Sequence, residues 1–172
     1  EGYASLFRSR FEKTMKILMV HPHDLFNKLE PWTIRIKSIA LEFCRQGHTV
    51  RLCYFPMALG KGTPPSSIGP VELCALDRRL SPGAFLRNIK KLTELARQAD
   101  VVHFQKSHHY AAVPAVVAAY VTDKPLHYDW DDWEEKIFFE SVRKGFKTSL
   151  IGYSFRVLEK TLPLLADTVS VG

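Results

Sequence analysis

A chain of 172 residues can build one domain with a substantial core but not two ordinary ones. Its 46% hydrophobic and 24% charged residues exclude the disordered class. A formal net charge of +6 favours anionic partners. The basic residues are spread along the chain, however, without RNA-binding aromatics or zinc-finger spacing, so no specific nucleic-acid partner is expected.

Residues 1–14, EGYASLFRSRFEKT, precede Met15 and read as an N-terminal extension or a cloning remnant. They lack the apolar centre of a signal peptide. Leu6, Phe7 and Phe11 among Arg8, Arg10 and Lys13 fit a short basic amphipathic helix, packed on the surface or touching an anionic membrane surface. MKILMV (15–20) is a nearly all-apolar run, as in a strand buried on both faces. The polar loop HPHDLFNKLEPW follows. Thr33 is placed to cap a helix whose apolar face is Ile36, Ile39, Ala40 and Phe43, ending at Gly47. TVRLCYF (49–55) is the second strand. Residues 55–70, rich in Pro, Gly and Ser, read as a long loop.

VELCAL (71–76) is the third strand. Ser81-Pro82 opens a helix with Phe85, Leu86, Ile89, Leu92, Leu95 and Ala96 on one face. DVVHF (100–104) is the fourth strand. The alanine-rich stretch Tyr110 to Val121 is a helix in which Pro114 is tolerated only in the first turn. LHYDW (126–130) is the fifth strand. A helix from about Lys147 to Thr161 uses Leu150, Tyr153, Val157 and Leu158, with Pro163 marking its end. DTVSV (167–171) is the sixth strand. Cys44, Cys53 and Cys74 each lie in apolar runs and read as buried, reduced thiols of a cytosolic protein. No apolar run approaches the roughly 18 residues of a membrane-spanning helix.

Strands alternating with helices predict a Rossmann-like α/β domain of three layers. Its mostly parallel sheet of about six strands runs in the order third, second, first, fourth, fifth, sixth. Ligands of such sheets bind beyond the carboxyl ends of the strands. Three loops leave those ends with unusual side chains. The first carries His21, His23, Asp24, Lys28, Glu30 and Trp32. The second carries Gln105, Lys106, Ser107, His108, His109 and Tyr110. The third carries Asp129, Asp131, Asp132, Trp133 and Glu134. If strands one, four and five are neighbours, these line one cleft. Asp129 and Asp131 point the same way on an extended strand, and Asp132 either faces the ligand or caps the next helix. Crowded carboxylates raise one another's pKa unless a cation, a histidine or sugar hydroxyls offset the repulsion, and Lys106, His23 and His108 are the nearest candidates by topology. His103 reads as a satisfied core histidine and His127 as structural. No metal site is expected, since His21-Pro22-His23 lacks a helical His pair or Cys partner. No GxGxxG, GxxxxGK[ST] or GxSxG is present, which argues against a nicotinamide or flavin site, a P-loop and a hydrolase elbow. No intrinsic cofactor is expected.

MKILMVH, IALEFCRQGHTVRLCYF, ADVVHFQ and LEKTLPLLADTVSVG together resemble the N-terminal domain of family 4 (group 1) glycosyltransferases of the GT-B fold. The resemblance covers about residues 15–172. It implies an acceptor-side domain of a retaining enzyme that moves a sugar from a nucleotide-sugar co-substrate to a glycan or lipid-linked acceptor. It also implies a donor-binding C-terminal domain beyond this chain, inactivity of the isolated domain, and a cytoplasmic or membrane-peripheral location. By this resemblance Asp131 occupies the catalytic place. His23, Lys28, Trp32, Lys106, His108, His109, Asp129 and Asp132 would bind acceptor or sugar. Two features depart from the family. The loop after the first strand has no glycine, and aspartates stand where many members have a histidine. A non-catalytic binding domain and a flavodoxin-like nucleotide-binding protein are the other readings.

Overall fold

The computed structural model describes residues 14–26, 30–57, 65–142 and 145–171. In chain order the elements are β1 Lys16–Val20, α1 Pro31–Arg45, β2 Thr49–Tyr54, β3 Ser67–Ile68, β4 Val71–Ala75 and α2 Pro82–Ala96. They continue with β5 Val101–Gln105, α3 His109–Thr122, β6 Leu126–Trp130, α4 Glu134–Ser141, α5 Phe146–Leu165 and β7 Thr168–Val171. The sheet order is β3-β4-β2-β1-β5-β6-β7. Every pairing is parallel except β3 with β4. The chain is thus a Rossmann-like α/β domain, with the strand order expected and one short antiparallel strand added at the edge. That strand lies in the stretch read as loop. Gly69, at φ +56°, makes the tight turn between β3 and β4.

Alternation along each strand sends side chains to two cores. Ile17, Met19, Val50, Leu52 and Leu73 meet Ile36 and Ala40 of α1. Leu18, Val20, Val102, Phe104 and Tyr128 meet α2, α3 and α5 on the other face. The α3 contribution is five alanines, whose small side chains bring that helix close to the sheet. β7 is registered beside β6 by Asp167, whose carboxylate accepts from the Leu126 N–H at 2.7 Å.

The helix ends follow local chemistry. α1 stops in a Schellman turn. Gly47, at φ +91°, donates to the Cys44 carbonyl, and His48 N–H reaches back to the Phe43 carbonyl. Ser81 caps α2 by accepting from the Ala84 N–H at 3.2 Å.

Several local expectations fail. Thr33 does not cap α1, because Pro31 starts that helix after Glu30 and Thr33 lies buried inside its first turn. Leu86 is exposed, and Asn88 takes the inward position to hydrogen-bond the backbone of Asp77. Pro114 sits in the second turn of α3, buried, because that helix begins at His109. α5 runs two residues past Pro163 and buries a different face. Gly152, Phe155, Glu159 and Leu162 are inward, while Leu150, Tyr153 and Val157 are exposed. Apolar residues encircle α5, so periodicity alone could not choose its inner face. Only Cys53 of the three free cysteines is fully buried; Cys44 and Cys74 are half-buried.

Gly152 is where α4 rests on α5. A Cβ there would lie 2.3 Å from the Phe139 ring. In open space, Gly→Ala in a helix stabilises by roughly 0.5–1 kcal/mol. Overpacking costs about 1–3 kcal/mol. Gly152→Ala is therefore expected to destabilise, seen as a lower urea midpoint at unchanged m. A raised midpoint would mean that Phe139 yields without cost.

Candidate functional site

β1, β5 and β6 are neighbours, so the three loops at their carboxyl ends converge. At the centre is Lys106, the residue after β5. Its backbone takes φ +66°, a left-handed conformation unusual for a side-chain-bearing residue. The Lys106 N–H donates to the Asp129 carbonyl at 3.1 Å, fixing this turn against β6. The turn directs the side chain inward, where it is 2% exposed. Its ammonium lies 2.5 Å from Asp132 Oδ2, 2.5 Å from Glu134 Oε1 and 3.9 Å from Asp131 Oδ2. It also sits 4.5 Å from the centre of the Trp32 ring, within cation–π range.

A second cation, Arg35 of α1, serves the other carboxylates. Its Nη2 donates to Asp129 Oδ1 at 2.8 Å and its Nε to Asp129 Oδ2 at 3.3 Å. The same Nε is 3.4 Å from Asp131 Oδ1. Ser170 of β7 donates to Asp129 Oδ1 at 2.8 Å. Burial works to raise the Asp129 pKa, but the bonds from Arg35 and Ser170 outweigh it and hold the carboxyl below its ordinary value. Asp131 and Glu134 shift the other way. Burial raises both, and the neighbouring acids add to it against the pull of Lys106.

Glu159 of α5, also buried, accepts from the backbone N–H groups of Glu134 (2.5 Å) and Glu135 (3.3 Å). It thus caps α4, which was one of the two roles open to Asp132. Asp132 is drawn away by Lys106 instead.

The histidines form a dry wall. His21 Nδ1 lies 2.7 Å from the Gln105 side-chain oxygen, and its Nε2 is 3.2 Å from the Thr33 hydroxyl. Gln105 in turn donates to Asp131 Oδ2 at 3.3 Å. The His23 ring lies 4.8 Å from His108 and 5.7 Å from Trp32. Burial lowers His21 to about 3 and His23 to about 4, and pushes His108 well below its ordinary value. These imidazoles are neutral at pH 7. They do not offset the carboxylates; Lys106 and Arg35 do.

The structure therefore brings His23, Trp32, Lys106, His108, Asp131 and Asp132 together. Asp129 is fully buried beneath them rather than lining the cleft. His109 lines a separate cavity on the α2 side. Lys28 lies outside the described residues. His103 is in the core, but its Nε2 has no partner among the described residues, whereas His127 bonds Thr168 and Ser170. Arg35, Ser170 and the capping role of Glu159 were missed. Arg35 had a readable signal: a cation in the second turn of the helix that follows β1, near an acid cluster needing one.

Strand order, parallel pairing and a polar cleft at the carboxyl edge define a Rossmann-like α/β domain. The crystal structure of MurG from Acinetobacter baumannii superposes with a TM-score of 0.55 at 14% identity, covering 91% of this chain and 41% of that one. The likeness is one of fold, and the chain spans less than half of MurG. No protein-family model and no curated protein matches the sequence. Among the described residues no helix is long and apolar enough to cross a membrane.

Removing the Lys106 charge strands three carboxylates. Lys106→Met is expected to destabilise by about 3–5 kcal/mol at pH 7, the usual cost of breaking a buried pair. Acids whose folded pKa is raised bind more protons folded than unfolded, so they destabilise as pH rises from the carboxylate range. The deficit of Lys106→Met should therefore shrink as pH falls toward that range, measured by urea unfolding at several pH values. A pH-independent deficit would assign Lys106 to packing alone. The histidines act oppositely. Their folded pKa is depressed, so their contribution is complete above about 6.5 and is lost below it. Wild-type stability should fall between pH 7 and 5.5, and His23→Gln should flatten that fall.

Proposed function

We propose that this chain is the acceptor-side half of a retaining glycosyltransferase, moving a sugar from a nucleotide-sugar to a glycan or lipid-linked acceptor. The observation that carries the reading is Asp131, a carboxylate at the carboxyl edge of a GT-B-like sheet. It is oriented by Arg35, Gln105 and Lys106 and remains 13% exposed. Sugar transfer develops positive charge at the anomeric carbon, and a fixed carboxylate in a poorly hydrated cleft stabilises it. A raised carboxyl pKa at Asp131 suits a group held among other acids and ready to accept hydroxyl hydrogen bonds. Beside it a cavity of about 220 Å³ is lined by Trp130, Asp131, Asp132, Trp133 and Val171. Trp133 is 59% exposed and offers an apolar face for a sugar ring, with carboxylates at its edge for the hydroxyls. Donor binding and most phosphate contacts fall, in this reading, to a second domain. The glycine-free loop after β1 fits that division, since its side chains keep the backbone from a phosphate.

One observation favours a non-catalytic binding domain. Lys106, Asp132 and Glu134 already satisfy one another. The two readings separate on Asp131→Asn in a polypeptide carrying both halves. Turnover should fall on the order of 100-fold with the melting temperature nearly unchanged. Unchanged turnover with a drop of several degrees would make Asp131 structural. The chain alone should show no transfer; measurable turnover from it would overturn the division of labour. The anomer of the product, read by NMR, tests retention.

A further inference from the structure

The parallel register sets two cysteines opposite each other, Cys53 of β2 against Cys74 of β4. Adjacent strands lie about 4.8 Å apart. A disulfide spans Cα atoms about 4.4–6.8 Å apart, so this pair can be bridged without moving a strand. Both side chains are on the α2 face of the sheet: Cys53 belongs to the core cluster there, and Cys74 packs against it. Both are free thiols. The third, Cys44 of α1, packs against the core on the opposite face, so the sheet separates it from the pair.

The two thiols are not equivalent. Cys53 has no exposed surface, whereas Cys74 is half-buried, one residue from the end of β4. On the outer side of β4, the short β3 pairs with Val71 and Glu72 and stops before Cys74. The Cys53 S–H donates to the Cys74 sulfur. That bond is the main influence lowering the Cys74 thiol to about 7; the Lys91 and Arg51 charges add to it and burial opposes it. The same bond, with burial, holds the proton on Cys53. Arg51 stands two residues before Cys53, hence on the same face of β2, with its Nη2 2.7 Å from Glu72 Oε2. A partly exposed thiolate beside an enclosed thiol is the arrangement of an attacking and a resolving cysteine.

We propose that Cys53 and Cys74 form a peroxide-reactive pair, in which Cys74 is oxidised first and Cys53 then closes a disulfide between β2 and β4. The Cys74 thiolate attacks one oxygen of hydrogen peroxide. The S–O bond forms as the O–O bond breaks, and the leaving hydroxide takes up a proton to become water. The Cys53 sulfur then attacks the Cys74 sulfur of the sulfenic acid. The S–S bond forms, the S–O bond breaks, and the Cys53 proton leaves with the hydroxyl as a second water. The two thiols lose two electrons and the peroxide gains them. The proposal does not rest on the glycosyltransferase reading.

The test treats this chain with hydrogen peroxide under native conditions. The intact mass should fall by about 2 Da, the loss of two hydrogens, and titratable thiols should fall from three to one. Non-reducing peptide mapping should find Cys53 joined to Cys74 within one chain, and dithiothreitol should restore both thiols. Cys53→Ser keeps a hydroxyl that can donate to Cys74, so this variant should stop at a Cys74 sulfenic acid, trapped by dimedone. In Cys74→Ser, Cys53 should react at least about tenfold more slowly than Cys74 does in Cys53→Ser. Thermal melting of the reduced proteins checks that the variants are folded, and the wild-type mass and map decide if one is not. A wild type that keeps all three thiols, pairs through Cys44, links two chains or gains oxygen without losing hydrogen overturns the proposal. A dimedone adduct on Cys53, or none on Cys74 in folded Cys53→Ser, overturns it as well.

Discussion

The cleft depends on one ammonium group removed from water. Lys106 is almost completely enclosed, and among the described residues its charge is held by the carboxylates of Asp132, Glu134 and Asp131 and by the Trp32 face. Neither sign is tolerable there alone. A buried lysine without acids would lose its proton, and the acids without lysine would take protons up. The left-handed turn at Lys106 delivers the cation to that spot, and its cost is supported by the bond to the Asp129 carbonyl. Arg35, itself half-buried, performs the matching task for the buried Asp129. It neutralises Asp129 and reaches Asp131, so the two cations divide the four acids between them.

The framework was legible because burial leaves a simple trace. Short apolar runs such as MKILMV and DVVHF fit strands covered on both faces, and Gly47 and Ser81-Pro82 mark helix ends by chemistry that does not depend on distant contacts. The convergence of three loops followed from strand order. What stayed hidden was pairing over long sequence separation. The partner of Asp129 is Arg35, and the cap of α4 is Glu159, twenty-five residues beyond the backbone N–H of Glu134 that it accepts. Neither pair has a local signature. The α5 face was misjudged for a related reason. Its inward positions include a glycine and a glutamate, chosen by the Phe139 ring and by the α4 N-terminus rather than by hydrophobicity.

The histidines show why residue type alone misleads about charge. A cluster of imidazoles beside aspartates suggests ion pairing. Here enclosure keeps them uncharged, and they act as flat, packed rings, of which His21 is hydrogen-bonded to Gln105 and Thr33. The space beyond β1 is thus filled by His21 packed edge to face on His23 and by Trp32 tilted against His23, where a glycine loop would leave room for a bound group.

The bond from Glu159 to the start of α4 ties distant parts of the molecule into one lever. Glu134 has its backbone held by α5 and its carboxylate held by Lys106. α5 therefore reaches the ammonium at the centre of the cleft through the start of α4, where Glu159 holds Glu134 and Glu135. α4 is thus pinned from two sides, its backbone by Glu159 and its side chains by Lys106 on Glu134 and Arg156 on Glu135.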